Sequence, residues 1–221
     1  LSGICALYKL RELGLDTLVL EAAEDLGGTW FHNRYPGCRF DSESYTYCYT
    51  FSDELLAEWN WTEHFAPRGE TLRYLNHVTD KFDLRPHMRF GSRVDRCVWD
   101  EDTRTWRVEL TDGTIYTTRY VIPAVGVLSS PVMPTIEGID SFEGPWWHTY
   151  NWPHEPVDLA GKRVAVIGTG ATAVQLIPEL AKVVGELFVF QRRPNWCAPL
   201  HNREITPDEM ADIKSRYDEI F

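Results

Sequence analysis

Six residues of this 221-residue chain, Gly168-Thr169-Gly170-Ala171-Thr172-Ala173, have the types and spacing of a phosphate cradle. In such a turn the first glycine permits a sharp bend and the second lets the backbone approach a pyrophosphate. A small third residue allows the helix to lie close on the preceding strand, and the N–H groups at the helix start then face the anion. Gly168, Gly170 and Ala173 hold those three places. The pattern carries weight only between a strand and a helix, and here the apolar run RVAVI precedes it and AVQLIPELAKVV follows. The residues closing the next strand select the nucleotide. An NAD site places an acid there to bond the ribose hydroxyls, whereas this chain has Gln191-Arg192-Arg193. Arginine suits a 2′-phosphate through bidentate, charge-assisted hydrogen bonds, so NADP is the expected dinucleotide. A pair of solvated surface arginines is the alternative.

The N-terminal stretch LSGICALYKLRELGLDTLVLEAAEDLGGTW carries the opposite signature. Gly3 stands before a predicted helix marked by Leu7, Leu10 and Leu13, and Thr17 to Glu21 reads as a short apolar strand closed by an acid. This is the back half of a βαβ dinucleotide unit whose first strand and first two glycines are missing, so the chain reads as a fragment. An acid at Glu21 suits an unphosphorylated ribose, such as that in the adenosine half of FAD. Gly27-Gly28-Thr29-Trp30 follows, and would line a flat ring system or form a packed turn.

The elements that must position these residues are legible from periodicity. A helix is expected over RGETLRYLNHVTDKF, with Leu72, Leu75, Val78 and Phe82 on one face. The runs RVDRCVWD, TWRVELTDG and TIYTTRYVIPAVG predict an antiparallel meander, hairpinned at Asp112-Gly113 and ending at Gly126. Residues 127–160 are rich in proline and glycine and read as a connection. The second unit is predicted as a strand over Arg163 to Ile167, a helix over Ala171 to Val184 and a strand over Leu187 to Gln191. TPDEMADIKSRYDEIF starts a further helix with a Thr206-x-x-Glu209 capping box and Pro207 in its first turn. The fold class is therefore α/β: two Rossmann-like dinucleotide-binding domains, for FAD and NADP, with a small meander in the FAD part. The predicted boundaries are 1–145 for the FAD domain, 146–200 for a linker and the NADP domain, and 201–221 for the start of a helical insertion.

Composition narrows the partners. A formal charge of −11 argues against nucleic acid, which is bound mainly through positive fields. No apolar run reaches the roughly 18 residues that span a bilayer, and no secretory signal opens the chain. Five scattered cysteines without a CxxC support neither a disulfide framework nor a metal site and fit a cytoplasmic protein. The 13% aromatic content, with nine tryptophans, fits surfaces that pack on flat ligands.

Three stretches together, EAAEDLGGTWFHNRYPGCRFDSESYTYCY, the FxGxxxHxxxWP pattern met at Phe142, Gly144, His148, Trp152 and Pro153, and VIGTGATAVQLIPELA, resemble flavin-dependent Baeyer–Villiger monooxygenases. The resemblance implies FAD and NADPH as cofactors, with a ketone and O2 as substrates. A peroxide carried at the flavin C4a position converts the ketone to an ester or lactone, and an arginine stabilises its charge. That arginine lies past residue 221, so the fragment as it stands is expected to be inactive. On this resemblance Gly3 and Glu21 belong to the FAD site, with Glu21 at the ribose. Gly28, Thr29 and Trp30 lie along the flavin, and Tyr47 and the Val94 backbone make further FAD contacts. Asp41 stands beside the flavin and nicotinamide and orients the missing arginine. Arg39 touches NADP near Asp41, while Gly168, Thr169, Gly170, Ala173, Arg192 and the neighbouring Arg193 hold its phosphates. His148 is expected to be a domain-hinge residue. Flavin monooxygenases that oxygenate nitrogen or sulfur share the two glycine turns, and a non-catalytic nucleotide-binding remnant is the third reading.

Overall fold

The chain alternates short helices and short strands. In the first half these are α1 (Ser2–Glu12), β1 (Val19–Leu20), α2 (Thr29–His32), α3 (Asp53–Glu58), α4 (Arg68–Lys81), β2 (Met88–Arg89), β3 (Val94–Asp100), β4 (Thr105–Leu110) and β5 (Ile115–Thr118). The second half adds β6 (Arg163–Ile167), α5 (Ala171–Leu180), β7 (Glu186–Phe190), α6 (Pro207–Ser215) and α7 (Tyr217–Ile220). The computed structural model describes all of residues 1–221. They form two units, each assembled from two stretches of sequence: 1–31 with 72–130, and 32–71 with 131–221.

In the first unit β1 pairs in parallel with β2, in the register Val19↔Met88 and Leu20↔Arg89. The strand is shorter than the predicted Thr17–Glu21. Its ladder is extended by single backbone bonds, from Glu21 N–H to the Arg89 carbonyl at 2.9 Å and from Ser92 N–H to the Glu21 carbonyl at 2.8 Å. Helix α1 buries Ile4 and Leu7. Leu13 is 73% exposed, because it is already the C-cap and lies past the apolar stripe. Gly3 sits inside α1 and not before it. A Cβ there would lie 3.8 Å from both Ala124 Cβ and Val19 Cγ1, an ordinary van der Waals contact. Arg11 ties α1 to the end of α4 by donating to the carbonyls of Phe82 at 3.1 Å and Asp83 at 2.8 Å. Along α4, Leu75 and Val78 are fully buried, as the periodicity predicts. Full burial of such a side chain contributes about 1.5–3 kcal/mol.

The three-stranded antiparallel sheet runs β3-β4-β5. Its second hairpin turns at Asp112-Gly113, where Asp112 Oδ1 accepts the Thr114 N–H at 2.8 Å and Gly113 takes φ +86°. The last strand ends at Thr118 and not at Gly126. Pro123 can offer no N–H to a ladder, and Ile122, Val125 and Val127 are exposed with no neighbouring strand.

In the second unit β6 and β7 pair in parallel from Arg163↔Glu186 to Ile167↔Phe190, with α5 between them in sequence. Helix α5 stops at Leu180, short of the expected Val184, because the chain must turn back to start β7. That return is held by Gly161 N–H on the Val183 carbonyl at 3.0 Å and Gly185 N–H on the Lys162 carbonyl at 2.9 Å. The aromatic core of this unit is Phe40, 4.1 Å from Tyr47 between ring centroids and 5.6 Å from Trp61. Helix α6 buries Met210 and Ile213 and is capped by Thr206, whose hydroxyl accepts the Glu209 N–H at 3.3 Å. The capping box is only half formed. The Glu209 carboxylate takes two hydrogen bonds from Arg203 at 2.6 Å and one contact from His64 at 3.0 Å.

Candidate functional site

The β6–α5 junction is built as the glycine pattern predicts. Gly168 takes φ +105°, a backbone conformation that L side chains avoid, and nothing lies within 4 Å of where a Cβ would stand. Gly170 is the N-cap of α5, no side chain caps the helix, and the space above its Cα is also open. Ala173 is buried against the unit core. The result is an uncapped N-terminus of a ten-residue helix with nothing crowding the approach to it. Backbone N–H groups and the helix dipole so arranged suit an anion.

Thr169 is pinned from the side. Its hydroxyl accepts Gln191 Nε2 at 2.9 Å and Asn195 Nδ2 at 3.3 Å, and its carbonyl accepts Asn195 Nδ2 at 2.6 Å. Asn195 was not legible from sequence, because its effect depends on the chain doubling back after β7. Arg192 and Arg193 come one residue after β7, are exposed, and make no ion pair within the protein. They therefore stand as uncommitted cations close in sequence to the residues that hold the turn.

The second group of residues in this unit lies on the loop from Tyr35 to Asp41, which packs on α5. Gln175 is the centre of the contact. Its Oε1 accepts the Tyr35 hydroxyl at 2.9 Å and the Arg39 N–H at 3.2 Å, while its Nε2 donates to the Arg39 carbonyl at 3.1 Å and to Asp41 Oδ1 at 2.7 Å. Asp41 Oδ2 takes no hydrogen bond. The Arg39 guanidinium is turned to Glu63 Oε2 at 3.0 Å and the Phe65 carbonyl at 3.3 Å. Gly37, at φ +84°, lets the loop come so close that an added Cβ would lie 2.5 Å from the Gln175 carbonyl. Burial raises the Tyr35 phenol well above its ordinary value and also raises the Cys38 thiol, so both are neutral under the loop. One sequence signal pointed to Gln175. It is the sole amide in the otherwise apolar run AVQLIP, one turn after Ala171, and helical side chains lean toward the N-terminus.

In the first unit Glu21 is half-buried just after β1. Its Oε1 accepts the Ala23 N–H at 2.9 Å, and its Oε2 accepts nothing from the protein, which leaves an acceptor of the kind a ribose hydroxyl needs. Gly28 takes φ +53° with open space above it, whereas a Cβ on Gly27 would strike Leu72 Cδ2 at 2.6 Å. Thr29 is half-buried and Trp30 buried in the short α2. Val94 opens β3 at a register shift. Tyr47 and Asp41 belong to the second unit.

The fingerprint stretch is built around a turn. His148 caps the three-residue 3-10 turn Thr149–Asn151 by accepting the Tyr150 N–H on its Nδ1 at 3.1 Å. Tyr150 stacks on His32 with ring centroids 4.7 Å apart, and Trp147 lies 6.0 Å from Trp152. Gly144 is required because the Phe142 ring folds over it, 2.6 Å from where a Cβ would be.

Residues 2–220 match the family profile described as pyridine nucleotide-disulphide oxidoreductase. Among curated proteins the chain is 42% identical over 99% of its length to "Acetone monooxygenase (methyl acetate-forming)" of Gordonia sp., covering 41% of it. It is 40% identical over its full length to "Phenazine N-monooxygenase PhzNO1" of Lysobacter antibioticus, covering 41% of that protein. Among solved structures it is similar to OTEMO in complex with FAD and NADP, with a TM-score of 0.91 and 47% identity over 96% of this chain and 41% of the other. The chain thus spans about two fifths of the length of the proteins it matches. No helix is long and apolar enough to cross a membrane.

Proposed function

We propose, for a chain that belongs to the pyridine nucleotide-disulphide oxidoreductase family, that it is part of an NADPH- and O2-dependent flavoprotein that converts ketones to esters or lactones. The observation that carries this reading is the opposite chemistry closing the two nucleotide strands. Glu21 offers an unused carboxylate oxygen at the first, and Arg192 with Arg193 offer uncommitted guanidiniums after the second. Each suits a different ribose, bare in one case and 2′-phosphorylated in the other. The relation to a ketone-oxidising enzyme and to a structure holding FAD and NADP supports it.

In this reading the two nucleotide sites follow sequence order, with FAD held mainly by residues up to 145, NADP by 146–200, and 201–221 opening a helical insertion. Gly3 and Glu21 belong to the FAD site, with Glu21 bonding the adenosine ribose, and Gly28, Thr29 and Trp30 flank the flavin. Tyr47 and the Val94 backbone complete the FAD contacts. Gly168, Gly170 and Ala173 admit the NADP pyrophosphate to the α5 N-terminus, where Thr169 fixes the turn. Arg192, aided by Arg193, binds the 2′-phosphate, and Arg39 fixes the loop beside the nicotinamide. Bound FAD, reduced by NADPH, supplies the oxygen chemistry. What this chain contributes to the reacting centre is Asp41, whose open Oδ2 would orient an arginine contributed by a segment beyond residue 221. Such an arginine stabilises negative charge developing on the oxygen donor and on the tetrahedral adduct. His148 holds a turn in the connection and positions the sites without transferring a proton. If His148→Ala left NADPH oxidation and product yield unchanged, that role would be lost.

Relation to a phenazine N-monooxygenase favours one rival, oxygenation of a soft nitrogen or sulfur. Incubating the protein, expressed with its native flanking sequence, with a cyclic ketone and separately with a thioether distinguishes them. Ester formation from the ketone supports the leading reading, and sulfoxide alone supports the rival. A colourless preparation that stays colourless with added FAD would overturn both.

A further inference from the structure

Gln175 lies outside every residue that the nucleotide pattern or the fingerprint singles out, yet it makes four hydrogen bonds to the loop that carries Asp41. We propose that Gln175 is a positioning residue, which sets the rotamer of Asp41 and fastens the loop 35–41 to the helix that follows the second glycine turn. The proposal rests on the functional reading above for Asp41 and adds a residue to it.

Three features of the geometry support it. First, both polar atoms of the amide are used twice, and in complementary senses. Oε1 takes the Tyr35 O–H and the Arg39 N–H, and Nε2 gives its protons to the Arg39 carbonyl and to Asp41 Oδ1. No other uncharged side chain of similar shape offers two donors and a twofold acceptor at that reach. Second, the shortest of these bonds, 2.7 Å, is the charge-assisted one to Asp41. It occupies Oδ1 and so leaves Oδ2 aimed elsewhere. Third, the loop has no slack to compensate. Gly37 brings its backbone against the Gln175 carbonyl, and Tyr35 and Cys38 are buried beneath it. The glycine turn itself is held separately, by Gln191 and Asn195 on Thr169. Loss of the amide should therefore disturb Asp41 while leaving the phosphate cradle in place.

The test uses Gln175→Leu, which keeps the side-chain volume and removes all four bonds, and Gln175→Glu. Both are made in the protein with its native flanking sequence. The first readout needs neither nucleotide. In Gln175→Leu, amide hydrogen exchange over residues 35–41 should quicken about tenfold, while exchange over residues 168–173 stays as in the wild type. The second is a kinetic split. In Gln175→Leu, kcat for NADPH oxidation should fall about tenfold, the scale of a mispositioned reacting group, with KM for NADPH within about threefold.

Gln175→Glu adds a pH signature. The titratable groups facing that position are Asp41, Tyr35, Cys38 with Arg68 close to it and, one turn along α5, Glu179. The introduced carboxyl group repels Asp41 when ionised and can donate to it when protonated, so activity should return toward lower pH. Exchange over 35–41 unchanged in Gln175→Leu overturns the proposal. So does a kcat within twofold of the wild type, or a KM that rises as much as kcat falls. Should the wild type bind no flavin and oxidise no NADPH, the functional reading fails, and the exchange result still decides whether Gln175 holds the loop.

Discussion

Gly37→Ala puts a number on how tightly the Asp41 loop is set against α5. At φ +84° an alanine is forced into the left-handed region, which costs about 1–2 kcal/mol. The new Cβ would also meet the Gln175 carbonyl oxygen at 2.5 Å and Glu179 Cγ at 3.0 Å. The glutamate can swing aside, but the carbonyl belongs to the α5 backbone and cannot, so the overpacking term of about 1–3 kcal/mol stays. The total is about 2–5 kcal/mol, offset by a few tenths to about 1 kcal/mol for the stiffer unfolded chain. Gly161→Ala supplies the control in the same unit. It has φ +66° and nothing within 4 Å, so it carries the strain and the offset without the collision. Urea denaturation followed by far-UV circular dichroism should place Gly37→Ala below Gly161→Ala by about 1–3 kcal/mol, the overpacking term alone. Equal destabilisation by the two variants would refute the close approach. It would also remove the reason for thinking that the loop has no slack.

The remaining predictions concern the nucleotide and the second unit. On the proposed reading, Arg192→Ala should raise KM for NADPH about tenfold or more, the scale of one charge-assisted hydrogen bond, and leave KM for NADH unchanged. Steady-state kinetics with both nucleotides checks this, and equal losses for the two would remove the 2′-phosphate role. Arg203, with His64 adding to it, holds the Glu209 carboxyl down to about 2 from its ordinary 4.5. A depressed acid stabilises fully above the unfolded value and loses that contribution as pH falls through the folded one. Glu209→Gln should thus be less stable than the wild type near neutrality, with the gap closing as pH is lowered toward 2; a pH-independent gap would contradict the pairing. Thr206→Ala removes the one working half of the capping box and should cost about 1 kcal/mol, read as a shift of the denaturation midpoint.

Much of this protein can be read without coordinates, where the chemistry is local. The sharp turn at Gly168 is legible because tolerance of a positive φ is a property of glycine itself. The α4 face at Leu75 and Val78 follows from helical period, and the Asp112-Gly113 hairpin from turn preference. The errors fall where tertiary partners decide. The meander's last strand ends at Thr118, short of the expected Gly126. Leu13 fits the helical pattern yet faces solvent, and Glu209 leaves its own helix cap for Arg203 and His64. Gln175 shows the division most clearly. Its sequence position gives a face of a helix, but Tyr35, Arg39 and Asp41 are 134 to 140 residues away along the chain, and only folding brings their hydrogen bonds to it. A residue's conformational freedom is written in its own type, whereas its partners depend on where the rest of the chain has gone.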